Sequence, residues 1–387
     1  MVNPMQLSKK SKGMKLVVIS AAPIVILENK PYLYAPYENE MRLWAKNASS
    51  IQFCCPIWTN DNKLLVSPIS FLIEHTVPLH EFHVKTFSNQ LKAVPFMFWN
   101  FLKILHAMYH ADHIHLRCPG NMGLLGAMAQ VFFPNKKKTA KYAGNWDPKS
   151  KQPFSYKLQQ KILSNTFLTR NMQVLVYGEW ENQTKNIKPF FTATYHNAER
   201  KPYNPRPKNT PIKLLFVGTL SAGKQPLYAI QLAEALHKKG IACQLELYGE
   251  GNLRPALQQY CTTHQLENFV FLKGNQDKET VQLAYQSHHF MLLPSQSEGW
   301  PKVVAEAMFW GCVPVTTPVS CVPYMLAQGK RGLLLQMDLA TDTAQLQNLI
   351  EDPTTYEQLA QNALNWSQNY TVEKFEKEIG GVIGSRQ

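Results

Sequence analysis

The residues best suited to chemistry are two glutamates, Glu298 and Glu306, in the segment PSQSEGWPKVVAEAM (294–308). An apolar run precedes this segment, and Pro301 is expected to begin a helix that contains Glu306. A carboxylate has two acceptor oxygens, so it suits the vicinal hydroxyls of a sugar or a ribose. Taken singly, each glutamate also fits an ordinary loop or helix surface. Only the two together indicate a binding site for such hydroxyl groups.

The start of the same helix is suited to an anion. Trp300 is a poor N-cap, because its side chain offers no oxygen to the first amides. The backbone amides of Lys302, Val303 and Val304 are therefore predicted to be free for a phosphate, unless a preceding Ser or Glu caps the helix. Together with the two glutamates, this arrangement predicts a site for the two ends of a sugar–diphosphate–nucleoside.

A glycine-containing loop, GTLSAGK (218–224), offers a second phosphate contact. Gly218 and Gly223 let backbone amides approach a phosphate, and Lys224 adds a positive charge. The loop is not a P-loop, because its spacing differs and Gln225 stands where Ser or Thr is required. By itself the pattern also fits an ordinary strand-to-helix turn.

The second half of the chain predicts a scaffold that brings these segments together. Apolar strands alternate with helices through short connections, which is typical of a doubly wound parallel sheet. Ligands of such sheets bind at the carboxyl ends of the strands. The predicted strands are 213–218, 242–249, 269–274, 289–295 and 312–317, and helices are predicted to begin near 226, 253, 277 and 301.

The chain has 387 residues, more than one hydrophobic core usually holds, so two domains are expected. Apolar strands at 16–20, 50–57, 113–118 and 173–177 predict a first α/β domain, and the proline-rich stretch 196–212 marks a boundary. The predicted division is a basic N-terminal domain at 1–200, a linker at 201–212, a C-terminal domain at 213–365 and a final helix at 366–387. That helix is expected to pack back on the N-terminal domain.

In combination, these segments resemble glycosyltransferase family 4 over about 213–335. E298-GWPKVVA-E306 fits the family's E-x(7)-E signature, and FVGTLSAGKQPLYAI (216–230) is similar to its phosphate loop. YGEGNLRPAL (248–257) resembles its G-x-G turn, and VFLKGN (270–275) its segment near the nucleobase. The resemblance implies the α/β fold called GT-B, in which two Rossmann-like doubly wound parallel-sheet domains face a cleft.

The resemblance also implies an activity. The chain would be a retaining, metal-independent glycosyltransferase of hexosyltransferase type, moving a sugar from a nucleotide-diphosphate donor to a glycan or lipid-linked acceptor in cell-surface polysaccharide or lipopolysaccharide biosynthesis. Glu298 would be the catalytic residue that holds the transferred sugar, Glu306 would bind the ribose, and Lys224 the diphosphate. The donor phosphate would itself accept the proton of the acceptor. The further donor-binding residues implied by position are Gly218, Thr219, Gly249, Lys273, Gly299, Lys302, Val303 and Val304.

No cofactor is expected; the donor substrate is expected to be a UDP-sugar, with a GDP-sugar as the alternative. One departure from the family concerns the diphosphate, because Thr219 stands where the family usually has a basic residue. A second concerns residues 20–40, where the usual glycine pair is missing. These departures keep other interpretations open: a non-catalytic partner protein of GT-B fold, or a GT-B epimerase or phosphorylase.

Two strand-end loops of the first half are candidates for the acceptor side. RCPGNMGLLGAM (117–128) contributes Arg117 and Asn121, and KYAGNWDP (141–148) contributes Asn145 and Trp146, whose ring would suit a sugar face. Ordinary turn chemistry is the alternative. The nearby HADHIH (110–115) is not expected to bind a metal, because the spacing of its histidines fits no common metal motif.

The basic charge lies in the first half. Residues 1–200 hold 24 Lys and Arg against 11 Asp and Glu, whereas the remainder is balanced. This imbalance indicates an anionic partner, for which a membrane surface is the candidate, with simple solubility of the chain as the alternative. Nucleic acid is not expected, since no nucleic-acid motif is present. The run 136–138 (KKK) is predicted to be a solvated loop. The apolar stretch 96–109 is predicted to be a buried core helix, with a membrane-interface helix as the alternative.

The remaining signals concern location. An apolar run at 16–27 imitates a signal peptide, because Lys9, Lys10, Lys12 and Lys15 precede it. Its composition and its length of 12 residues favour a buried first strand instead. Seven cysteines, an odd number without a CxxC pair, indicate reduced buried thiols. We therefore expect a cytoplasmic protein, peripheral at the inner face of the membrane.

Overall fold

The computed structural model describes residues 13–62, 64–82, 87–207 and 211–384, without the side chains of 87–92. Lys9, Lys10 and Lys12 lie outside the described residues. Two parallel sheets covered by helices form two Rossmann-like domains, as the strand–helix alternation predicts.

The N-terminal sheet has seven parallel strands in the order β11-β10-β9-β8-β1-β4-β7. These strands are β1 (Lys15–Ile19), β4 (Ser50–Cys55), β7 (Ile73–Pro78), β8 (His113–Cys118), β9 (Lys137–Tyr142), β10 (Met172–Tyr177) and β11 (Ile187–Phe190). Alternation along β1 divides the core: Leu16 and Val18 pack on the side of α1 (Ala35–Ala45), and Val17 and Ile19 on the other. That second side is covered by α2 (Phe87–Tyr109), α3 (Asn121–Ala129) and α4 (Phe154–Ser164).

The apolar run 16–27 is not one strand. It divides after β1, and its second part enters a small separate sheet made of β2 (Ile24–Leu27), β3 (Lys30–Tyr34), β5 (Ile57–Trp58) and β6 (Val66–Pro68). Glu28 and Asn29 both have positive φ, 49° and 60°, and form the two-residue turn between β2 and β3. Two consecutive positive φ angles are what a tight hairpin of this kind requires.

The C-terminal sheet has six parallel strands in the order β14-β13-β12-β15-β16-β17. They are β12 (Ile212–Val217), β13 (Cys243–Tyr248), β14 (Val270–Gly274), β15 (Phe290–Leu293), β16 (Val313–Thr316) and β17 (Leu333–Leu334). The helices are α5 (Pro226–Lys238), α6 (Arg254–Thr263), α7 (Lys278–Ser287), α8 (Lys302–Phe309), α9 (Val322–Met325), α10 (Leu339–Glu351), α11 (Pro353–Ser367) and α12 (Val372–Gly384). The predicted strands and helix starts of this half are all present.

The last helix, α12, packs on the N-terminal domain. Lys46, at the end of α1, places its Nζ 2.7 Å from Glu376 Oε2. The ring of Phe375 lies 5.3 Å from that of Phe190 and 5.6 Å from that of Phe191. The described residues therefore begin and end on the same domain, and α12 connects the two domains.

Two predictions about the first half are wrong. Helix α2 is not a core helix on all sides, because Asn100 is fully buried while Phe98 and Trp99 are 57% and 58% exposed. The KKK run is not a solvated loop, because Lys137 begins β9 and Lys138 is 2% exposed. The Lys138 Nζ donates to the carbonyl oxygens of Gln130 and Phe133, which satisfies the buried charge.

All seven cysteines are buried and unpaired. No helix within the described parts of the chain is both long enough and apolar enough to cross a membrane.

Candidate functional site

Two loops cross at the carboxyl ends of β12 and β13. The amide of Gly218 donates to Tyr248 O, and that of Leu220 donates to Glu250 O, both at 2.9 Å. A Cβ on Gly249 would lie 2.0 Å from Gly218 O, so a larger residue cannot occupy this position without moving the loop. The glycines of the G-x-G turn are thus required for the crossing, which holds in place the loop 218–224, named the phosphate loop for its predicted role.

The phosphate loop meets the loop that carries the first glutamate. Lys224 Nζ lies 2.5 Å from Glu298 Oε1, and the side chain of Glu298 is only 9% exposed. Backbone contacts hold the two loops together, because Gln296 N donates to Gly223 O at 2.9 Å. The structure therefore brings together Lys224 and Glu298, which are 74 residues apart in sequence.

Helix α8 starts without a side-chain cap, as Trp300 and Pro301 predict. Of the three amides predicted to be free, that of Val304 already donates to Pro301 O at 3.0 Å. Within the residues that the structure describes, the amides of Lys302 and Val303 donate no hydrogen bond. Two amides rather than the predicted three are therefore free at the start of α8.

Glu306, one turn into α8, is held by two hydroxyl groups. Thr194 Oγ1 donates to its Oε1 at 2.7 Å, and the Tyr285 hydroxyl donates to its Oε2 at 3.3 Å. Thr194 lies between the end of β11 and the start of β12, so the segment that joins the domains reaches the glutamate. No sequence motif indicates that Thr194 would contact a site residue. The sequence shows only that it lies just before the proline-rich stretch that joins the domains.

A cleft of about 790 Å³ opens beside Glu306, between the C-terminal domain, α1 and α12. Its walls carry charges of both signs, with Lys278 and Lys302 near Glu306 and Glu40 on the side of α1. Lys278 was not predicted, although its position at the start of α7, directly after β14 and its loop, was available from the sequence. Such a cleft has the volume of a small-molecule site, and its lysines suit an anionic ligand.

Two residues predicted to bind the nucleotide sugar, Lys273 and Thr219, bring no positive charge to the cleft or to the contact between Lys224 and Glu298. Lys273 lies 3.6 Å from Glu246 Oε1 and packs over the Phe271 ring, so its charge is directed to the neighbouring strand. Thr219 is exposed in the phosphate loop and brings no charge. Arg117, a candidate to replace the missing cation, is directed to Glu40 at 3.5 Å and lies over the Tyr37 ring.

A buried ionic cluster that sequence reasoning missed lies beside the acceptor-side candidates, at α1, β8 and β9. Glu40 Oε2 lies 2.9 Å from Lys141 Nζ, and Lys141 is 1% exposed. Burial opposes ionisation of Glu40, but Lys141 and Arg117 outweigh it and lower the pKa of Glu40 to about 2. Burial lowers the pKa of Lys141 to about 8, although Glu40 partly offsets this effect. Three charges from α1, β8 and β9 thus fix these elements beside the cleft.

The other acceptor-side candidates make internal contacts. Asn121 Nδ2 donates to Phe82 O at 2.9 Å, and Asn145 Oδ1 accepts from Asp147 N at 2.9 Å. Trp146 is 3% exposed, and its Nε1 donates to Gln183 Oε1. The prediction of a Trp146 face open to a sugar is therefore wrong, since the ring belongs to the core.

The histidines of HADHIH take part in the sheet. His113 and His115 lie 3.0 and 2.8 Å from Thr139 Oγ1, and burial lowers their pKa values to about 4 and about 3. Both are therefore neutral near pH 7. No group of three His, Cys, Asp or Glu residues suited to an ion occurs within 13–62, 64–82, 87–207 and 211–384.

The two domains touch at the loop that carries Glu298. A Cβ on Gly299 would lie 3.0 Å from Ala143 O, and one on Gly178 would lie 2.7 Å from the Cβ of Cys321. Trp300 packs between the domains, with its ring 5.8 Å from Tyr177. Glu298 and the N-terminal loop 143–147 thus face the same interface.

The second half of the chain is similar to known proteins. Residues 197–366 match the family model for glycosyl transferases group 1. The chain is 29% identical over 187 residues to an uncharacterized glycosyltransferase of Haemophilus influenzae. That match covers 46% of this chain and 52% of the relative, so the chain spans about half the length of this curated relative. The region matched by the glycosyl transferases group 1 model includes Lys224, Glu298 and Glu306.

Solved structures give the fold of the whole chain. The structure of Anabaena Alr3699/HepE in complex with UDP aligns with a TM-score of 0.66 at 15% identity, covering 97% of this chain and 100% of that one. WaaG, a glycosyltransferase involved in lipopolysaccharide biosynthesis, aligns with a TM-score of 0.63 at 13% identity, covering 96% and 100%. The fold is GT-B, as the sequence predicts.

Proposed function

We propose that the protein is a retaining glycosyltransferase that moves a sugar from a nucleoside-diphosphate sugar to a glycan or lipid-linked acceptor. The observation that carries the proposal is the contact between Lys224 and Glu298 at 2.5 Å, beside the crossed glycine loops. This contact places the Lys224 ammonium group, which would bind a diphosphate, next to the Glu298 carboxylate, which would bind sugar hydroxyls. The glycosyl transferases group 1 match over 197–366 supports the same chemistry.

In this proposal Glu306 binds the ribose. Its two oxygens already accept hydroxyl hydrogens from Thr194 and Tyr285, which is the kind of contact that ribose hydroxyls would make. Lys302 and Lys278 lie in the same cleft and would balance the donor's negative charge. These cationic side chains, rather than a metal ion, would carry the diphosphate in place of the basic residue that Thr219 replaces.

The chemistry would be transfer with retention of the anomeric configuration. Glu298 would hold the sugar near its anomeric carbon, and the donor phosphate would take the proton of the attacking hydroxyl. UDP is the proposed nucleotide, supported by the fold shared with the UDP-bound HepE structure, and GDP is the alternative. Cell-surface polysaccharide or lipopolysaccharide biosynthesis is the proposed setting, supported by the fold shared with WaaG.

A turnover assay tests the proposal. Wild type should release nucleoside diphosphate from one sugar nucleotide of a UDP- and GDP-sugar panel, without dependence on inorganic phosphate. Glu298→Gln should lower this release by about a hundredfold or more, the scale of one lost transition-state contact, while its melting temperature stays near that of wild type. Release that requires inorganic phosphate would favour a phosphorylase, and interconversion of the sugar without release would favour an epimerase.

A further inference from the structure

A second pocket opens between α11 and the turn that follows α9. We call it the α11 pocket, and it has a volume of about 400 Å³, which is within the range of small-molecule sites. Its polar and aromatic lining consists of Lys330 and Arg331 from the turn and of Asn362, Asn365, Trp366 and Asn369 from α11 and its end. None of these residues also lines the cleft beside Glu306, so the two sites are separate.

Arg331 is held as a rigid group that suits an anion. Its guanidinium lies over the Trp366 ring, with Cζ 4.9 Å from the ring centroid, and its Nη1 donates to Met325 O at 3.1 Å. Its Nε and Nη2 donate to none of the residues that the structure describes. A planar guanidinium that is already fixed loses little freedom on binding. The remaining N–H groups therefore suit a carboxylate, sulfate or phosphate.

The charge of the α11 pocket is positive. Lys330 is exposed, and its Nζ makes no ion pair or hydrogen bond with a residue of the described ranges. Among the described residues that line the pocket there is no Asp or Glu, whereas the cleft is lined by glutamates as well as lysines. An anion in the α11 pocket is therefore attracted by two cations and repelled by no carboxylate of the lining.

Three asparagines offer groups for hydroxyls beside these cations. At 100° per residue, positions 362, 365, 366 and 369 fall on one side of the helix axis. Asn362 Nδ2 donates to Lys330 O at 3.1 Å, and Asn369 Nδ2 donates to Asn365 O at 2.8 Å. The side chain of Asn365 is exposed and bonds no described residue, although Asn is a weak helix former. Side-chain amides carry both donors and acceptors, so this row suits the hydroxyl groups of a sugar.

The turn 327–331 is strained. Ala327 and Gln328 have positive φ angles of 46° and 55°. Non-glycine residues rarely adopt this conformation, so two in succession indicate a turn that its surroundings hold in place. The amide of Arg331 donates to Leu326 O at 3.0 Å and closes the turn. Strain of this kind is concentrated at ligand sites, which agrees with a binding role for the two cations that the turn carries.

The α11 pocket adjoins the loop that carries Glu298. The Trp366 ring lies 6.1 Å from that of Trp300, which packs between the domains. At the start of α9, Cys321 Sγ donates to Gly299 O at 3.0 Å. Trp366 and α9 thus connect the pocket to the proposed transfer site.

We propose that the α11 pocket binds an acidic sugar residue of a glycan chain. Arg331 and Lys330 bind the acid group, and the three asparagines bind hydroxyls of the same or the next sugar. The binding itself does not depend on the proposed function, but the role of this glycan as the acceptor rests on it. In that role the pocket holds a part of the acceptor away from the transferred sugar, and this second contact raises the affinity for acidic glycans.

Isothermal titration of the full chain tests this inference. Tetragalacturonate, an oligosaccharide of uronic acids, should bind, and should bind more weakly as salt is raised. Lys330→Glu combined with Asn365→Ala should weaken this binding about tenfold or more, because a cation becomes a repelling anion and an amide is lost. Lys239→Glu is the matched control, since it makes the same change of charge at an exposed lysine of the C-terminal domain. This control should bind as wild type.

Tryptophan fluorescence locates the bound oligosaccharide. An anion on Arg331 should change the emission of Trp366, because the guanidinium lies over that ring. Trp366→Phe keeps an aromatic ring against Trp300 and should remove this change. A change of equal size in Trp366→Phe would place the oligosaccharide elsewhere and overturn the inference.

Four results of the titration would also overturn it. The first two are no binding of tetragalacturonate by wild type, and equal binding by wild type and the double variant. The third is equal affinity for maltotetraose, which has no charge. The fourth is inorganic phosphate that binds as tightly as tetragalacturonate, since the pocket would then select an anion and not a glycan. The double variant should bind UDP or GDP as wild type does, so failure of the α11 pocket is distinguishable from failure of the donor site.

Discussion

The contact between Lys224 and Glu298 leads to a prediction of opposite sign for its two members. Lys224 Nζ lies 2.5 Å from Glu298 Oε1. A donor diphosphate must compete with Glu298 for this ammonium group. Removal of the lysine should therefore weaken binding of a nucleoside diphosphate, whereas removal of the carboxylate charge should not weaken it.

The magnitudes follow from the exposure of the two groups. Lys224→Met loses a charge-assisted hydrogen bond of about 1.5–3 kcal/mol, which corresponds to about 10- to 150-fold weaker binding. Glu298→Gln removes an ion pair whose lysine is 30% exposed and therefore screened by solvent. Such pairs contribute about 0.2–1 kcal/mol, so binding should become about 1.4- to fivefold tighter.

Isothermal titration with UDP and GDP measures both effects. These ligands lack the sugar, so a lost contact between Glu298 and sugar hydroxyls does not enter the result. Lys239→Met is the matched control, because Lys239 is exposed after α5 and its Nζ bonds Gln347. If Glu298→Gln weakens nucleotide binding as much as Lys224→Met does, the glutamate positions the lysine instead of competing for it, and the reasoning is refuted.

Three further predictions concern single positions. Thr219→Arg should restore the cation expected from the family and tighten UDP or GDP binding about tenfold or more in titration; unchanged affinity would mean that residue 219 does not reach the diphosphate. Trp146→Ala should lower the free energy of unfolding by about 3–5 kcal/mol in urea, because the ring is 3% exposed; a full-stability variant with weakened acceptor binding would restore the sugar-platform interpretation. The pKa of Glu40 is about 2, below the ordinary carboxyl value of about 4.3. Ionised Glu40 therefore adds to the free energy of unfolding above about pH 4.3, and this contribution is lost as the pH falls toward 2. The difference in unfolding free energy between wild type and Glu40→Gln should accordingly shrink between pH 7 and pH 3, and a pH-independent difference would contradict this assignment.

The C-terminal half could be predicted closely because local signals there agree with the fold. Its strands are apolar on both faces, and Pro226 and Gly240 stand at the two ends of α5 as the rules for helix boundaries require. Lys224 and Glu298 were both proposed from loop positions, although their direct contact is a matter of tertiary structure. The carboxyl ends of neighbouring parallel strands bring such loops together.

The N-terminal half was harder because side-chain partners override local pattern. The sequence pattern places Asn100 on the polar side of α2, but the residue is buried. Burial is possible because the His80 backbone donates to its Oδ1 and accepts from its Nδ2. The KKK run predicts a solvated Lys138, but this side chain is buried and donates to two backbone carbonyl groups. Glu40 gave no signal, because the lysine and arginine that pair with it lie 101 and 77 residues away. Contacts of this range are set by the folded chain and not by the spacing of residues.

The most direct test of the central claim is binding of nucleoside diphosphates by wild type and Glu306→Ala. A panel of UDP, GDP, ADP, CDP and TDP in a thermal-shift assay covers every base of a common sugar donor. A ligand at 100 times its Kd should add about 2.7 kcal/mol of stability. We predict that one member of the panel, UDP first, raises the Tm of wild type and raises that of Glu306→Ala much less. A folded wild type whose Tm no nucleotide changes would contradict the donor site and favour a non-catalytic protein of GT-B fold.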